Sequence, residues 1–232
     1  MPTGKTLGEL VIALRAEIGD STNLSMGQES LVGLQQMLRR VQEQYYEDFD
    51  WPNHIIYRDE VAQVGERYYT FNADVDFQRI FGAWVRRGDE VSSPLWIPLE
   101  YGITPVDYNF SNSDISQTQP LPLRWNHYED NQFEIWPVPS NAAVIRFRCM
   151  RQLPPLVAMT DTCVLDSNLL VLTAAAEILA RSKAQDAQIK LTMATSHYNR
   201  LKGRLQKQRM FTLGASDHPH IRPKNWTIRV PR

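Results

Sequence analysis

One stretch of the chain, residues 144–183, contains a strand pattern, a Pro-Pro pair that ends it and a long apolar helix pattern in immediate succession. The strand reads VIRFRCMR, and Pro154-Pro155 end it because proline donates no hydrogen bond to a strand ladder. Asp166 then offers an N-cap to an apolar run from Leu169 to Leu179. The stretch therefore predicts a strand that leads into a helix buried on most of its circumference.

Helical patterns flank a strand-rich middle. Apolar residues recur at helical spacing over 7–18 and 31–49, with Gly19 closing the first helix, and a partial apolar stripe follows over 186–208. Between them, short apolar runs alternate with turn residues, which is typical of strands. The predicted strands cover residues 55–64, 68–71, 80–86, 95–99, 123–127, 133–136 and 143–150. Gly65-Glu66 predicts a hairpin turn that pairs the first two strands.

This order of elements predicts an α+β fold. The expected architecture is a helical bundle made of N- and C-terminal helix pairs, with an inserted antiparallel β-sandwich or barrel-like domain and an extended C-terminal tail. The predicted divisions are an N-terminal helix pair (1–53), an antiparallel β domain (54–152), a closing helix pair packing on 1–53 (153–208), and an extended docking tail (209–232).

The formal net charge of −1 conceals a strong asymmetry. From Arg181 onward the chain carries twelve basic and two acidic residues, a net charge of +10, so the preceding residues carry −11. One interpretation is that these basic residues lie on a solvent-exposed helix face and in the tail that follows it. The other is a basic end that docks on an acidic partner, either nucleic acid or a protein collar.

Motifs for catalysis or metal binding are incomplete. Gly4-Lys5-Thr6 lacks the earlier glycine that a phosphate-binding loop requires, and no further ligands accompany His218-Pro219-His220. No serine or cysteine has an activating partner motif. We therefore predict no enzyme, no cofactor and no metal, and we expect Cys149 and Cys163 to be free thiols. The sequence also predicts no membrane span and no secretory signal.

Residues 124–156, RWNHYEDNQFEIWPVPSNAAVIRFRCMRQLPPL, place a tryptophan and a proline turn before the basic strand and the Pro-Pro break. With the acidic Asp166 and the closing helices that follow, this order resembles the head–tail adaptor (head-completion, or tail tubular protein A-like) family of tailed bacteriophages. The resemblance covers the order of elements along nearly the whole chain. The polar loop 109–119 departs from it, because many relatives have a shorter one.

The resemblance implies a structural virion protein without catalytic residues. It implies a ring of twelve copies at the head–tail junction, assembled in the host bacterial cytoplasm, that joins the portal protein to the tail or nozzle protein. DNA would pass through the ring's channel without specific binding, and no membrane would be involved. Two alternatives stay open: a nucleic-acid-binding protein that uses the basic C-terminal helix and tail, and a small enzyme whose site leaves no linear motif.

The tail carries the predicted docking residues. Residues 225–230, NWTIRV, alternate polar and apolar side chains, a pattern suited to adding a strand to a partner's sheet. The alternative is an edge strand that folds back on its own domain. The predicted portal- or partner-docking residues are Arg222, Lys224, Trp226, Ile228, Arg229 and Val230.

The acidic body suggests a second set of residues. A channel that conducts DNA must not grip it, because each phosphate contact adds affinity. We therefore predict that Asp74, Asp76, Asp89 and Glu90 line the lumen of the ring. The alternative is that these charged side chains only keep the tips of turns hydrated and have no role in a channel.

Overall fold

The computed structural model describes residues 4–23, 30–87, 95–111 and 117–205. The predicted α+β class is confirmed. The helices are α1 (Leu7–Ile18), α2 (Leu31–Asp48), α3 (Pro105–Phe110), α4 (Ser167–Arg181) and α5 (Asp186–Leu205), with a 3-10 turn at Pro52–His54. The strands are β1 (Ile55–Ala62), β2 (Tyr68–Thr70), β3 (Val75–Arg87), β4 (Ile97–Tyr101), β5 (Arg124–His127), β6 (Gln132–Trp136) and β7 (Ala143–Arg151).

Local capping sets both ends of α1, and the end at Gly19 is as predicted. The Thr6 hydroxyl accepts from the Glu9 amide at 3.2 Å, and the Glu9 carboxylate accepts from the Thr6 amide at 2.8 Å, forming a capping box. Gly19 ends the helix with a φ of 75°, in the left-handed region that favours glycine.

Helix α4 is the central helix of the apolar helical core. The Asp166 carboxylate caps it by accepting from the Leu169 amide at 3.0 Å, as the sequence predicted. Helix α4 contacts α1, α2 and α5, and its buried side chains include Leu169, Leu170 and Ala174. The core therefore joins the N-terminal helices α1 and α2 to the helices α4 and α5.

The seven strands form one curled sheet, a half-barrel, in the order β1-β7-β3-β4-β5-β6-β2. Neighbouring strands are antiparallel except β4 and β5, which are parallel. The prediction of a purely antiparallel domain is therefore wrong. A parallel pair needs a crossover connection of about a dozen residues or more, and residues 102–123 separate β4 from β5.

The predicted hairpin at Gly65-Glu66 is also wrong. Gly65 does turn the chain, with a φ of 80°, but its amide donates to the Pro139 carbonyl at 3.0 Å. Strand β1 pairs with β7, and β2 pairs with β6. A turn residue reverses the chain locally, whereas packing decides which strands pair, and here Tyr69 of β2 stacks on Phe133 of β6.

The curled sheet encloses a second apolar core. Phe71, which follows β2, contacts Phe147 of β7 with ring centroids 5.1 Å apart, and both rings are buried. Cys149 lies in this core, whereas the next residue, Met150, lies in the helical core. Consecutive residues of β7 therefore tie the sheet to the helices. The tail 209–232 lies outside the described residues.

Candidate docking surfaces

A bulge in β3 fastens the sheet to α2. The pairing register of β3 with β7 jumps between Asp76 and Ile80, so residues 77–79 bulge out of the ladder. From this bulge, the Arg79 guanidinium donates to the backbone carbonyls of Tyr46, at 2.6 Å, and of Glu47. A cation at the C-terminal end of a helix satisfies free carbonyls and complements the helix dipole. The bulge thus sets how α2 meets the sheet.

The predicted lumen residues Asp74 and Asp76 both make contacts within the chain. Asp74 accepts from the Arg58 Nε at 2.9 Å, and this bond lowers the pKa of the Asp74 carboxyl below its usual value. Asp76 accepts from the Tyr46 hydroxyl at 3.0 Å. Asp89 and Glu90 lie outside the described residues. The lumen assignment stays a prediction, with the charge of Asp74 largely balanced by Arg58.

The basic helix α5 uses part of its charge inside the molecule. Lys190 forms an ion pair with Glu17 of α1, and Lys202 lies 3.3 Å from the Asp48 carboxylate at the end of α2. Hydrogen bonds from Tyr198 and then Lys202 lower the pKa of Asp48. These lysines therefore hold α5 against the N-terminal helices. The predicted docking residues 222–230 lie outside the described residues.

The outer face of β1, β7 and β3 is rich in arginine and aromatic side chains. Arg146 donates to both carboxylate oxygens of Asp59, at 2.6 and 2.7 Å, and its guanidinium lies 4.3 Å from the centroid of Trp96. Arg86 lies over the same tryptophan ring at 5.0 Å. Tyr57 stands exposed on this face. Arginine, tryptophan and tyrosine are the residues enriched where proteins bind each other.

An aromatic groove of about 840 Å³ lies between β3 and β5. Its lining includes the buried side chains of Leu99 and Trp125. The other lining residues are Phe77, Gln78, Ile80, Phe81, Gly82, Tyr101, His127, Tyr128, Glu129 and Asp130. Sequence reasoning missed this groove because it joins residues from strands that are distant in the chain.

A buried ion pair lies near the opposite end of the sheet. The Arg67 Nε donates to the Glu134 carboxylate at 2.6 Å, and Glu134 is only 4% exposed. The Arg67 guanidinium also lies within 4.7 to 5.1 Å of the ring centroids of Tyr68, Tyr108 and Trp136. This arrangement holds α3 on the outer face of β6.

A family model described as SU10 adaptor protein matches residues 5–222. The chain belongs to the SU10 adaptor protein family. No curated protein matches the chain. The match confirms the resemblance to phage head–tail adaptors that the sequence predicted, and it identifies this SU10 adaptor as a structural protein of phage virions.

Both cysteines of this SU10 adaptor are buried free thiols. Burial raises the pKa of the Cys149 and Cys163 thiols to about 11, so both stay protonated at neutral pH. Within residues 4–23, 30–87, 95–111 and 117–205, no three His, Cys, Asp or Glu side chains are placed to hold a metal ion. None of the helices in those ranges has the length and apolar content to cross a membrane.

We expect the stability of this SU10 adaptor to fall as the pH decreases from 7 to 5.5. Burial lowers the pKa values of His54 and His127 below 6.5, so the unfolded chain binds protons more readily than the folded one in that range. The two histidines stabilise the folded state fully at pH values above the histidine pKa of the unfolded chain. This stabilisation is lost as the pH falls below that value. Urea unfolding at pH 7, 6 and 5.5 measures the effect, and His127→Phe should flatten the profile. A wild-type stability that does not change over this range would contradict the prediction.

Proposed function

We propose that the protein is the subunit of a head–tail adaptor ring that joins the portal to the tail and continues the DNA channel. The observation that carries the proposal is the adaptor-family match, which extends over both the helical core and the curled sheet. In this proposal twelve copies form the ring at the head–tail junction, with the portal protein on one side and the tail or nozzle protein on the other.

The parts of the chain have different roles in this proposal. The helix pairs 1–53 and 153–208 form a bundle, the β domain 54–152 is inserted between them, and the tail 209–232 docks on the portal. A closed ring needs two different, complementary surfaces on each subunit. The outer sheet face around Arg146 and Trp96 offers one such surface, because its residue types are those of protein interfaces.

Imaging of assembled particles tests the ring directly. We expect cryo-electron microscopy of portal mixed with this protein to show a closed ring of adaptor density on one face of the portal. The protein alone and the portal alone are the controls. Absence of a ring at concentrations that saturate the portal would refute the proposal.

The same images test the predicted lumen. The inner wall of the ring should carry a net negative charge, with Asp74, Asp76, Asp89 and Glu90 facing the channel, because carboxylates repel the phosphates of passing DNA. A lumen lined instead by Arg200, Lys202 and Arg204 would contradict this assignment.

We expect the apolar anchor residues of the tail to contribute more to portal binding than its charged residues. If Trp226 fills a pocket on the portal, Trp226→Ala should weaken binding by about 2 kcal/mol or more, whereas Arg229→Ala should cost much less. Calorimetric titration of portal with each variant at two salt concentrations gives both values. Equal losses that vanish at high salt would indicate nonspecific electrostatic docking instead.

The net charge of +10 from Arg181 onward favours one alternative, nucleic-acid binding through α5 and the tail. Lys190 and Lys202 form ion pairs within the chain, which leaves fewer charges for phosphates. Tight binding of the free protein to DNA at physiological salt, with a steep salt dependence, would favour this alternative.

A further inference from the structure

Strand β3 has an unpaired stretch along one side. It pairs with β4 only at Ala83, Trp84 and Val85, whereas its pairing with β7 extends back to Val75. Between Asp76 and Gly82, no strand of the described chain pairs with the side of β3 that faces β4 and β5. Unpaired strand edges accept a further strand through backbone hydrogen bonds. This edge is one wall of the aromatic groove.

The groove has a definite chemical character. Trp125 and Leu99 are buried in it, while Tyr101 is 62% exposed at its wall. The charged residues that line it, Glu129 and Asp130, are both acidic. The groove therefore fits an extended segment that carries apolar side chains at alternate positions and basic residues beside them.

Residues 225–230 of this chain have that chemistry. Trp226, Ile228 and Val230 alternate with polar residues, so an extended backbone places all three on one face. Lys224 and Arg229 supply positive charge on either side of the Trp226–Ile228 pair. The apolar face matches the aromatic lining, and the basic residues match the acidic rim.

A series of contacts links the last turns of α5 to one wall of this groove. In the last turns of α5, Lys202 lies 3.3 Å from Asp48 at the end of α2, and Arg79 binds carbonyls at the same end of α2. Arg79 directly follows Gln78, which lines the groove. Residues 206–224 can span up to about 60 Å when fully extended, which is ample for this distance.

We propose that in the free protein residues 225–230 add a short strand to β3 in the aromatic groove of the same chain. The docked segment buries the Trp226, Ile228 and Val230 side chains against the groove lining. This inference concerns the protein before it meets a partner, so it goes beyond the function proposed above. Binding of the same segment to the portal would require it to leave the groove.

A peptide competition experiment without portal tests the inference. The probe is a fluorescently labelled peptide of residues 220–232, added to full-length wild type and to the full-length W226A/I228A/V230A variant. The tethered wild-type segment competes at high effective concentration, so the probe should bind wild type at least about tenfold more weakly than the variant. Equal binding to both proteins, or no binding to the variant, would overturn the proposal.

Two further substitutions in that variant locate the peptide. Tyr101→Ala removes an exposed aromatic ring from the wall of the groove and should weaken peptide binding by about fivefold or more. Tyr57→Ala is the matched control, since Tyr57 is 56% exposed on the outer face of β1, and it should leave binding unchanged. Equal effects of the two substitutions would place the peptide elsewhere and overturn the proposal.

Disulfide trapping then distinguishes the same chain from a neighbouring copy. Gln78→Cys combined with Thr227→Cys should form an internal disulfide under mild oxidation and give a cross-linked monomer. The native Cys149 and Cys163 are buried and should not interfere. Tyr57→Cys combined with Thr227→Cys is the control and should not cross-link. A predominantly dimeric product, or equal cross-linking in the control, would overturn docking within one chain.

Discussion

Deletion of residues 210–232 is expected to abolish assembly on the portal while the protein stays folded. Both apolar cores consist of residues that the deletion keeps, so they should stay intact. Release of residues 225–230 from the aromatic groove should add only a small net cost, because the entropy lost on ordering that segment offsets much of the gain from burying it. We expect the melting temperature to fall by no more than about 3 °C, which corresponds to roughly 1 kcal/mol for a chain of this size. Co-sedimentation with portal and thermal unfolding measure the two outcomes. Normal portal binding by the shortened protein would refute tail docking.

A full-length variant that loses the same positive charges as the deletion distinguishes loss of the apolar anchors from loss of charge. The deletion also removes four basic residues, Arg222, Lys224, Arg229 and Arg232. A full-length variant with these four changed to Gln keeps the apolar anchors. It should retain most portal binding at physiological salt, because exposed charges contribute little there. A loss as complete as that of the deletion would assign docking to charge instead.

Arg67→Ala is expected to be among the most destabilising single substitutions in the β-rich part of the chain. It leaves the Glu134 carboxylate, which is buried, without its guanidinium partner, although the Tyr108 hydroxyl still donates to it at 3.0 Å. Removing one partner of a buried ion pair typically costs about 3–5 kcal/mol. Chemical denaturation should show a loss of that size, with a fall in melting temperature of roughly 10 °C.

Arg58→Ala is the matched control for this prediction. Arg58 also pairs with a carboxylate, that of Asp74, but the two side chains are 33% and 40% exposed. Exposed pairs contribute about 0–1 kcal/mol, so the control should lose little stability. The double variant R67M/E134Q removes both charges and should recover part of the loss. Equal effects of Arg67→Ala and Arg58→Ala would contradict the assigned role of burial.

Helix bounds were predictable because helix capping and helical periodicity are local. The caps of α1 lie next to the helix in sequence, at Thr6 with Glu9 and at Gly19. Asp166 precedes α4 and lies three residues before Leu169, whose amide it caps. The strand positions could be predicted for a similar reason, since alternation and turn residues mark them. The family resemblance also followed from a contiguous stretch, and the match over residues 5–222 confirms it.

The candidate surfaces were much less predictable. The tail anchors were predicted from alternation within six residues, 225–230, which lie outside the described residues. The outer sheet face and the aromatic groove were missed, because each assembles side chains from strands that are distant in the chain. The alternating arginines of β7 were visible in the sequence, but their aromatic partners, Trp96 for Arg146 and Phe81 for Arg148, lie more than about forty residues away in the chain. Only strand order brings such residues together.

The sequence alone determined the class of fold, the four long helices and the adaptor family, because those signals lie within short stretches of the chain. It missed the short helix α3 (Pro105–Phe110). The tertiary structure decided the strand order, the parallel β4–β5 pair and the unpaired edge of β3. It also decided that Arg67 meets Glu134 and that Arg79 caps α2. These contacts join distant residues, and they depend on which apolar faces pack together, which local propensity does not encode.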